Sequence, residues 1–554
     1  MSLKRMLLTL IILALLPADV KAADRPAPDL DRGFPAQAAR LWQYVQVYLG
    51  REPEPAYLLL KPGSGGFPRT GFWLGESDQR HSDYVEVGGG ALTGKFGAVD
   101  QIFPHELGHT ILQALAGPRE QSRSAQMHAV AVKTDQQTAF DEGFAEHFQV
   151  MAIDDPQAAP DTRALAMDVT YRHEVQQRLT GYRDALGAAF GVLARTRFRG
   201  WYARDEQALR YFAVKENSFA RQPAIPDRLL SGSNLYGAYL LEQTLPGDLT
   251  DLPKSPARML ATEGVVSTLF CRWVTDDTLK NHYREEAFYQ RFGVSAAQVT
   301  PLENAYLKLF HVFHVKQPHT AVAFIKGYRE VFPDEAGAVD QVVNAVLLGQ
   351  PLADQPELWL TNPKFRIGYT VFDQFRRQAH SYSFDLNAAS LVDLLTIPGV
   401  DRSLAADLLQ GAPYQSLADL KRVPGMTERV EREIARMAYR AETSQAEGLT
   451  SFGLHALTML GLFGFLGGLF YWVVANTAWW RAGLNAGALT LLTLLPAWYF
   501  SGWLDLLLPL AAALLFATPA ALWRLRRSRR EALRVLLAWA AAALPVLVMP
   551  FLRY

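Results

Sequence analysis

Between residues 452 and 523 only two side chains, Arg481 and Asp505, carry a formal charge. A water-exposed surface needs about one charge in four residues, so the chain cannot be soluble along its whole length. From 452 to Tyr554 the apolar residues divide into about four spans, 452–476, 482–500, 503–523 and 535–552, each with roughly the 17 to 25 residues that cross a hydrocarbon core. Arg524, Arg526, Arg527, Arg529, Arg530 and Arg534, opposed only by Glu531, separate the third span from the fourth. Such a cluster is held on the cytoplasmic side. A plain anchor is expected in preference to a transport path, because Asp505 sits close to an interface and His455, near the start of the first span, is the other ionisable group within them.

The opposite end implies a matching topology. Lys4 and Arg5 precede an apolar stretch from Met6 to Leu16, and Val20-Lys21-Ala22 offers a cleavage site. This is the layout of a secretory signal peptide over 1–22; the alternative is an uncleaved anchor, for which the apolar run is short. If 23–451 is exported, three crossings bring the chain to the arginine cluster inside and a fourth returns Tyr554 to the outside. The formal charge is zero overall, with +6 on 452–554 and +2 on 1–22, which leaves −8 on the middle. An acidic body of that kind is a poor partner for nucleic acid. The lone cysteine, Cys271, excludes an intrachain disulfide and any Cys-rich zinc module.

The exported part reads as mainly α with a small β-sheet. Tyr57 to Leu60 and Tyr84 to Leu92 carry strand signals, and Pro62 to Pro68 reads as a Gly/Pro turn region. From Pro104 to about Arg377 the pattern is helical, interrupted by proline-rich loops at 155–160, 222–226, 351–356 and near Pro363.

The chemistry is concentrated in His105-Glu106-Leu107-Gly108-His109. Pro104 suits the first turn of a helix that Ile111, Leu112 and Leu115 continue as an apolar face. Residues four apart stand on one side of a helix, so both imidazoles can converge on one ion while Glu106 points beside them at a water. Zinc catalytic sites usually take three protein ligands. The candidate for the third lies in Phe140-Asp141-Glu142-Gly143-Phe144-Ala145-Glu146-His147.

A helix that begins (Asn/Asp)-Glu-Gly-Phe-Ala-Glu about 33 residues after a His-Glu-x-x-His motif resembles the third-ligand helix of gluzincin metallopeptidases, the aminopeptidase-N-like families included. The resemblance covers about 50 residues. It implies Glu142 as the third ligand, zinc as the cofactor and peptide hydrolysis as the reaction. Glu146, one turn on, is expected to orient a ligating imidazole from outside the coordination shell. Ser233 to Leu241 is similar to a later gluzincin helix, so Tyr236 or Tyr239 is a candidate for hydrogen-bonding the oxyanion, with core packing as the plainer role. His128, His147, His311, His314 and His319 are further candidates that spacing does not select among. Gly88-Gly89-Gly90 reads either as an edge strand able to pair with a peptide or as a flexible turn. Site-2 proteases carry the same pentapeptide inside a membrane helix, but Asp100, Arg119, Glu120 and Arg123 bracket it too tightly here. Families whose third-ligand motif is Glu-x-x-x-Asp also fit less well.

A second resemblance covers 383–440. Phe384 to Ser390, Leu395-Thr396-Ile397-Pro398-Gly399-Val400, Tyr414 to Leu420 and Val423-Pro424-Gly425-Met426 resemble the paired helix-hairpin-helix domain of bacterial competence receptors for DNA. DNA-binding hairpins of this kind read Gly-x-Gly, so that backbone N–H groups approach a phosphate. Here Asp401 and Thr427 replace the second glycines, and the segment's seven bases and eight acids leave it at −1. Both departures favour a protein contact or a spacer, and DNA is not the expected partner.

The expected organisation is a signal peptide (1–22), a gluzincin-like zinc metallopeptidase domain (23–380), a small all-α paired hairpin domain (381–440), a linker (441–451) and about four transmembrane helices (452–554). The expected function is hydrolysis of peptide or protein substrates outside the cytoplasm by an integral protein of the bacterial inner membrane. Its catalytic domain faces the periplasm or the cell exterior. His105, His109 and Glu142 hold Zn2+ and Glu106 is the general base. The alternative is an envelope binding or assembly protein that uses the hairpins to hold protein or DNA and carries a structural or inactive zinc site.

Overall fold

The computed structural model describes residues 34–61, 66–74, 76–88, 98–118, 130–155, 177, 210–231, 235–244, 252–367 and 380–438. The expected signal peptide, linker and apolar spans of 452–554 lie outside the described residues, among which no helix is long and apolar enough to cross a membrane. These residues are mainly helical with a small sheet. They fall into two compact units: a larger one holding everything described up to residue 360 together with 383–436, and a smaller one whose described part is 361–367, 380–382 and 437–438.

Helix α1 (Phe34–Tyr48) buries Phe34, Leu41, Trp42 and Val45 on one side. Strands β1 (Tyr57–Lys61), β2 (Gly66–Leu74) and β3 (Ser77–Gly88) form a sheet in the order β1-β3-β2, with β1 parallel and β2 antiparallel to β3. The expected turn at 62–68 is in part a strand, for β2 begins at Gly66 and contains Pro68. Proline survives there because β2 is an edge strand, where a missing N–H interrupts no second ladder. Gly88 of the glycine run closes the middle strand, opposite Lys61 of β1, and Gly89 and Gly90 lie outside the described residues.

Helix α2 (Ala98–Ala116) starts six residues before Pro104, so that proline is interior and not in the first turn. Phe103, Leu107, Ile111 and Leu115, spaced at four residues and each no more than 2% exposed, make a buried stripe that crosses the proline. This burial, about 1.5 to 3 kcal/mol for each large side chain, offsets the roughly 3 kcal/mol of an interior proline. Helix α3 (Gln136–Asp154) likewise begins five residues before Asp141, capped by Asp135 through Thr138 N at 2.7 Å. The acidic pair 141–142 therefore lies in the second turn, past the zone where a carboxylate merely complements the helix dipole. Gly108 lets α2 and α3 close on each other, since a Cβ there would stand 3.0 Å from Ala145 Cα.

The side of α3 away from α2 is aromatic. Phe140 and Phe144 pack with Phe270 of α6 (Glu263–Thr275) and Phe313 of α7 (Pro301–Lys316) at ring centroid distances of 5.0 to 6.0 Å, and Phe140 also meets Phe324 of α8 (Ala321–Val331). Between α3 and α6 lie α4 (Leu235–Thr244) and the short α5 (Pro256–Leu260). Strands β4 (Trp359–Ile367) and β5 (His380–Asp385) pair as a two-stranded sheet, so the chain around Pro363 is a strand and not the expected loop; both strands of such a ribbon are edges.

Two helix–turn–helix passages follow. The first joins α9 (Leu391–Leu395) to α10 (Arg402–Gly411) through Gly399 at φ +88°, and the second joins a 3-10 turn at Leu417–Arg422 to α11 (Glu428–Met437) through Gly425 at φ +74°. Asp401 caps α10 by accepting from Leu404 N at 2.9 Å, and Thr427 Oγ1 accepts from Val430 N at 3.3 Å. Residues 383–436 belong to the larger unit. Asp393 of α9 pairs with buried Lys133, and Ser390 donates to Glu242 of α4 at 2.6 Å, which in turn meets Arg258 of α5 at 2.7 Å.

Candidate metal centre

Antiparallel packing of α2 against α3 sets His105 and His109 opposite the carboxylates of α3. His109 Nε2 lies 3.3 Å and His105 Nε2 3.7 Å from the same atom, Glu142 Oε2. The ligand atoms of His105, His109 and Glu142 all lie within 4.8 Å of one another, and this buried group could hold a metal ion. The other imidazole nitrogens face outward to a second ring of carboxylates: His109 Nδ1 is 3.2 Å from Asp141 Oδ2, and His105 Nδ1 is 3.6 Å from Glu146 Oε2. Glu146, fully buried, is held by Arg210 at 3.0 Å, and Arg210 also donates to Gln149 at 2.8 Å.

Glu142 is 3% exposed and Glu146 is not exposed at all. Carboxylates at such depth are strongly unfavourable unless paired or ligating. Arg210 answers Glu146. Glu142 is turned towards two nitrogens, each of which has a carboxylate on its far side to fix the ring and its tautomer. That arrangement of imidazoles and carboxylates is the one that metal-ligating histidines adopt, and the three donors fit a zinc-type set of two nitrogens and one oxygen. Burial is the largest influence on both rings. It draws His105 down to about 4, whereas at His109 the combined pull of Asp141 and Glu142 outweighs it and raises the ring well above its ordinary value.

Glu106 lies beside the cluster, 8% exposed. Strand β2 passes directly over it at Gly66, where a Cβ would stand 2.6 Å from Glu106 Oε1 and 2.5 Å from Ile102 Cγ2, so only glycine allows the strand that close. The cluster and Glu106 open into a cavity of about 450 Å3 that continues to Gly117 and is also bordered by Gly66, Phe67, Pro68, Pro318 and His319.

His105, Glu106 and His109 thus come together as their spacing implies, Glu142 and Glu146 join them where the resemblance puts them, and Tyr236 is not beside them. It sits buried on α4, its ring 6.2 Å from Tyr239, and is not among the residues lining the cavity. Of the four candidate histidines among the described residues, only His319 reaches the cavity. His147 is core: its ring bonds Phe144 O and Tyr306 Oη, and burial lowers it to about 3. His311 is bound to Tyr48 Oη at 2.6 Å, His314 is exposed beside the Tyr48 ring, and His128 lies outside the described residues. Asp141 and Arg210 are the functional neighbours that the motif does not announce. Asp141 could have been found as the residue flanking Glu142 towards the second imidazole, whereas Arg210 arrives from 64 positions beyond Glu146 with no local signal. Comparison with protein-family models, with curated proteins and with solved structures returns no match, so the reading of this centre stands on its own geometry.

Proposed function

We propose that the chain is a zinc metallopeptidase, in which His105, His109 and Glu142 hold the ion and Glu106 is the general base. The observation that carries this reading is the convergence of three donor side chains on one point, with a fourth group, the Glu106 carboxylate, beside them in an open cavity. When bound, zinc would supply Lewis-acid polarisation and a lowered pKa for water. Glu106 takes the proton from the attacking water at its carboxylate and later returns it to the leaving amine nitrogen. Asp141 and Glu146 keep the two imidazoles in the tautomer that presents Nε2, and Arg210 holds Glu146 in place. The zincin-like architecture of helices α2 and α3 under a small sheet belongs to the same proposal, as do export of this unit and its attachment by the apolar spans of 452–554 to the bacterial inner membrane. For the paired hairpins of 383–440 the reading is protein contact or spacer: the Asp401 and Thr427 side chains occupy helix starts that a phosphate would otherwise approach.

Metal analysis of the purified full-length chain, with digestion of a peptide library beside it, tests the proposal. One zinc per chain and chelator-sensitive cleavage are expected. A metal-free protein that cannot be loaded, or a loaded one that leaves every peptide intact, would remove it.

A further inference from the structure

The cavity extends beyond the metal cluster. From His109 it follows α2 towards that helix's C-terminus, where Leu112 and Ala116, each 5% exposed, line it with Phe140 at its inner end and the amides of Gln113 and Gln137 at its rim. Positions 109, 112 and 116 share one face of α2, and Ala116 lies about 10 Å along the axis from His109 at 1.5 Å per residue. Phe67 of edge strand β2 also borders the cavity, with 48% of its surface exposed and the Arg69 guanidinium 4.9 Å from its ring centroid. An aromatic ring left half in water beside a cavity gains from being covered by another apolar group.

We propose that this arm of the cavity, lined by Leu112, Ala116 and Phe140 and sharing the cavity with the half-exposed ring of Phe67, is a subsite for a large apolar side chain of the substrate peptide next to the bond that is cut. The assignment rests on the peptidase reading. Its continuity with the cluster and with Glu106 places the occupant adjacent to the reacting group. One to two helical turns of depth suit a leucine, methionine or phenylalanine. An acidic side chain would enter beside the carboxylates of Glu106, Asp141 and Glu142, and the charged end of a basic one would lie over an apolar lining, with Asp141 already turned to His109.

The test uses the zinc-loaded full-length chain and a set of quenched fluorescent peptides that differ at single positions flanking the cleaved bond. Leucine or phenylalanine at one fixed position is expected to raise kcat/KM by about 10- to 100-fold over alanine, lysine or glutamate. Phe67→Ala should narrow that ratio at least about threefold, and Ala116→Leu, which fills that arm, should turn the preference towards alanine or glycine. Melting curves accompany each variant; if Ala116→Leu fails to fold, Phe67→Ala at its exposed position carries the comparison. Cleavage of all the peptides at similar rates would overturn the subsite and leave the peptidase reading intact. A second arm measures calorimetric binding of the same peptides to Glu106→Gln. Tighter binding of the leucine peptide than of its alanine counterpart, by about tenfold, supports the subsite even if the wild type cleaves nothing, an outcome that would instead remove the peptidase reading. Equal binding overturns the subsite.

Discussion

Glu106 and Glu142 have the same side chain, and their surroundings separate their roles. Glu142 points at two imidazole nitrogens, while Glu106 lies beside them under Gly66. Glu106→Gln keeps the shape and cannot accept a proton, so kcat should fall by about a hundred- to ten-thousand-fold with zinc content unchanged. Unaltered turnover in that variant would remove Glu106 from the mechanism. Zinc content itself separates inner from outer carboxylates. Glu142→Ala should abolish zinc binding at ordinary concentrations, whereas Glu146→Ala and Asp141→Asn should weaken it by about 10- to 100-fold. If titration shows Glu146→Ala losing more zinc than Glu142→Ala, the assignment is one turn out. His105 and His109 were legible in the sequence because a helical motif sets them four residues apart, and Glu142 through the resemblance of the helix that carries it. Arg210 was not, because its partner Glu146 is reached only through the fold; Tyr236 and Tyr239 stack on each other on α4 and do not line the cavity, which is the core packing that the sequence offered as their plainer role.

Elements were legible where one local signal dominates and misread where burial overrides it. Strand β1 came out where the short apolar run Tyr57–Leu60 before Pro62 implies, but β2 was hidden by Pro68, and the first two turns of α2 by Pro104, because a proline reads as punctuation until its neighbours are known to be edge or core. The end of β5 carries a titration that follows from the same kind of burial. Asp385, 3% exposed, has its carboxyl raised to about 6, chiefly by desolvation and further by Glu357, against backbone donors Leu358 N and Asn387 N at 2.7 and 3.1 Å and the charge of Lys133. An unfolded aspartate titrates near 3.9. The folded state therefore holds this proton more tightly, and the group's contribution to stability is fully present below about pH 4 and lost as pH rises through 6. Asp385→Asn retains the Oδ1 that accepts both backbone bonds and does not ionise. The unfolding free energies of wild type and variant should coincide near pH 4 and separate by pH 7, with the wild type lower by on the order of 2 to 3 kcal/mol in denaturant unfolding. Parallel curves across that range would show that Asp385 ionises freely.

At the scale of the whole molecule, the paired hairpins were readable as a pattern, while their place in the structure was not. Repeated Pro-Gly turns and short apolar helices announced 383–440, and Gly399 and Gly425 take the left-handed conformations those turns require. Nothing local announces that α9 locks onto the part of the larger unit that carries the candidate metal centre, through Asp393 and Lys133, which lie 260 positions apart. Lys133 is 4% exposed and the Asp393 side chain is not exposed; Lys133 N also donates to Gln243 at 2.9 Å, and the N-cap of α3 follows two residues later. Removing one partner of a buried ion pair leaves the other charge uncompensated and costs about 3 to 5 kcal/mol, whereas replacing both by apolar groups is often close to neutral. Asp393→Ala should therefore destabilise the larger unit by about that amount in denaturant unfolding, and Lys133→Met combined with Asp393→Leu should recover most of it, apart from the loss of the cap Asp393 gives to Ser390 N. The consequence for the metal centre discriminates between an attached module and an integral brace. If 383–436 is a separately folded appendage, Asp393→Ala changes only its own transition and zinc affinity stays at the wild-type value. If it braces the start of α3, zinc affinity falls together with stability, although the substitution lies 251 positions from Glu142, because the helix that carries Asp141, Glu142 and Glu146 loses the anchor of its incoming strap. Zinc titration and unfolding measured on the same variant give the answer, and a single cooperative loss is the outcome this packing implies.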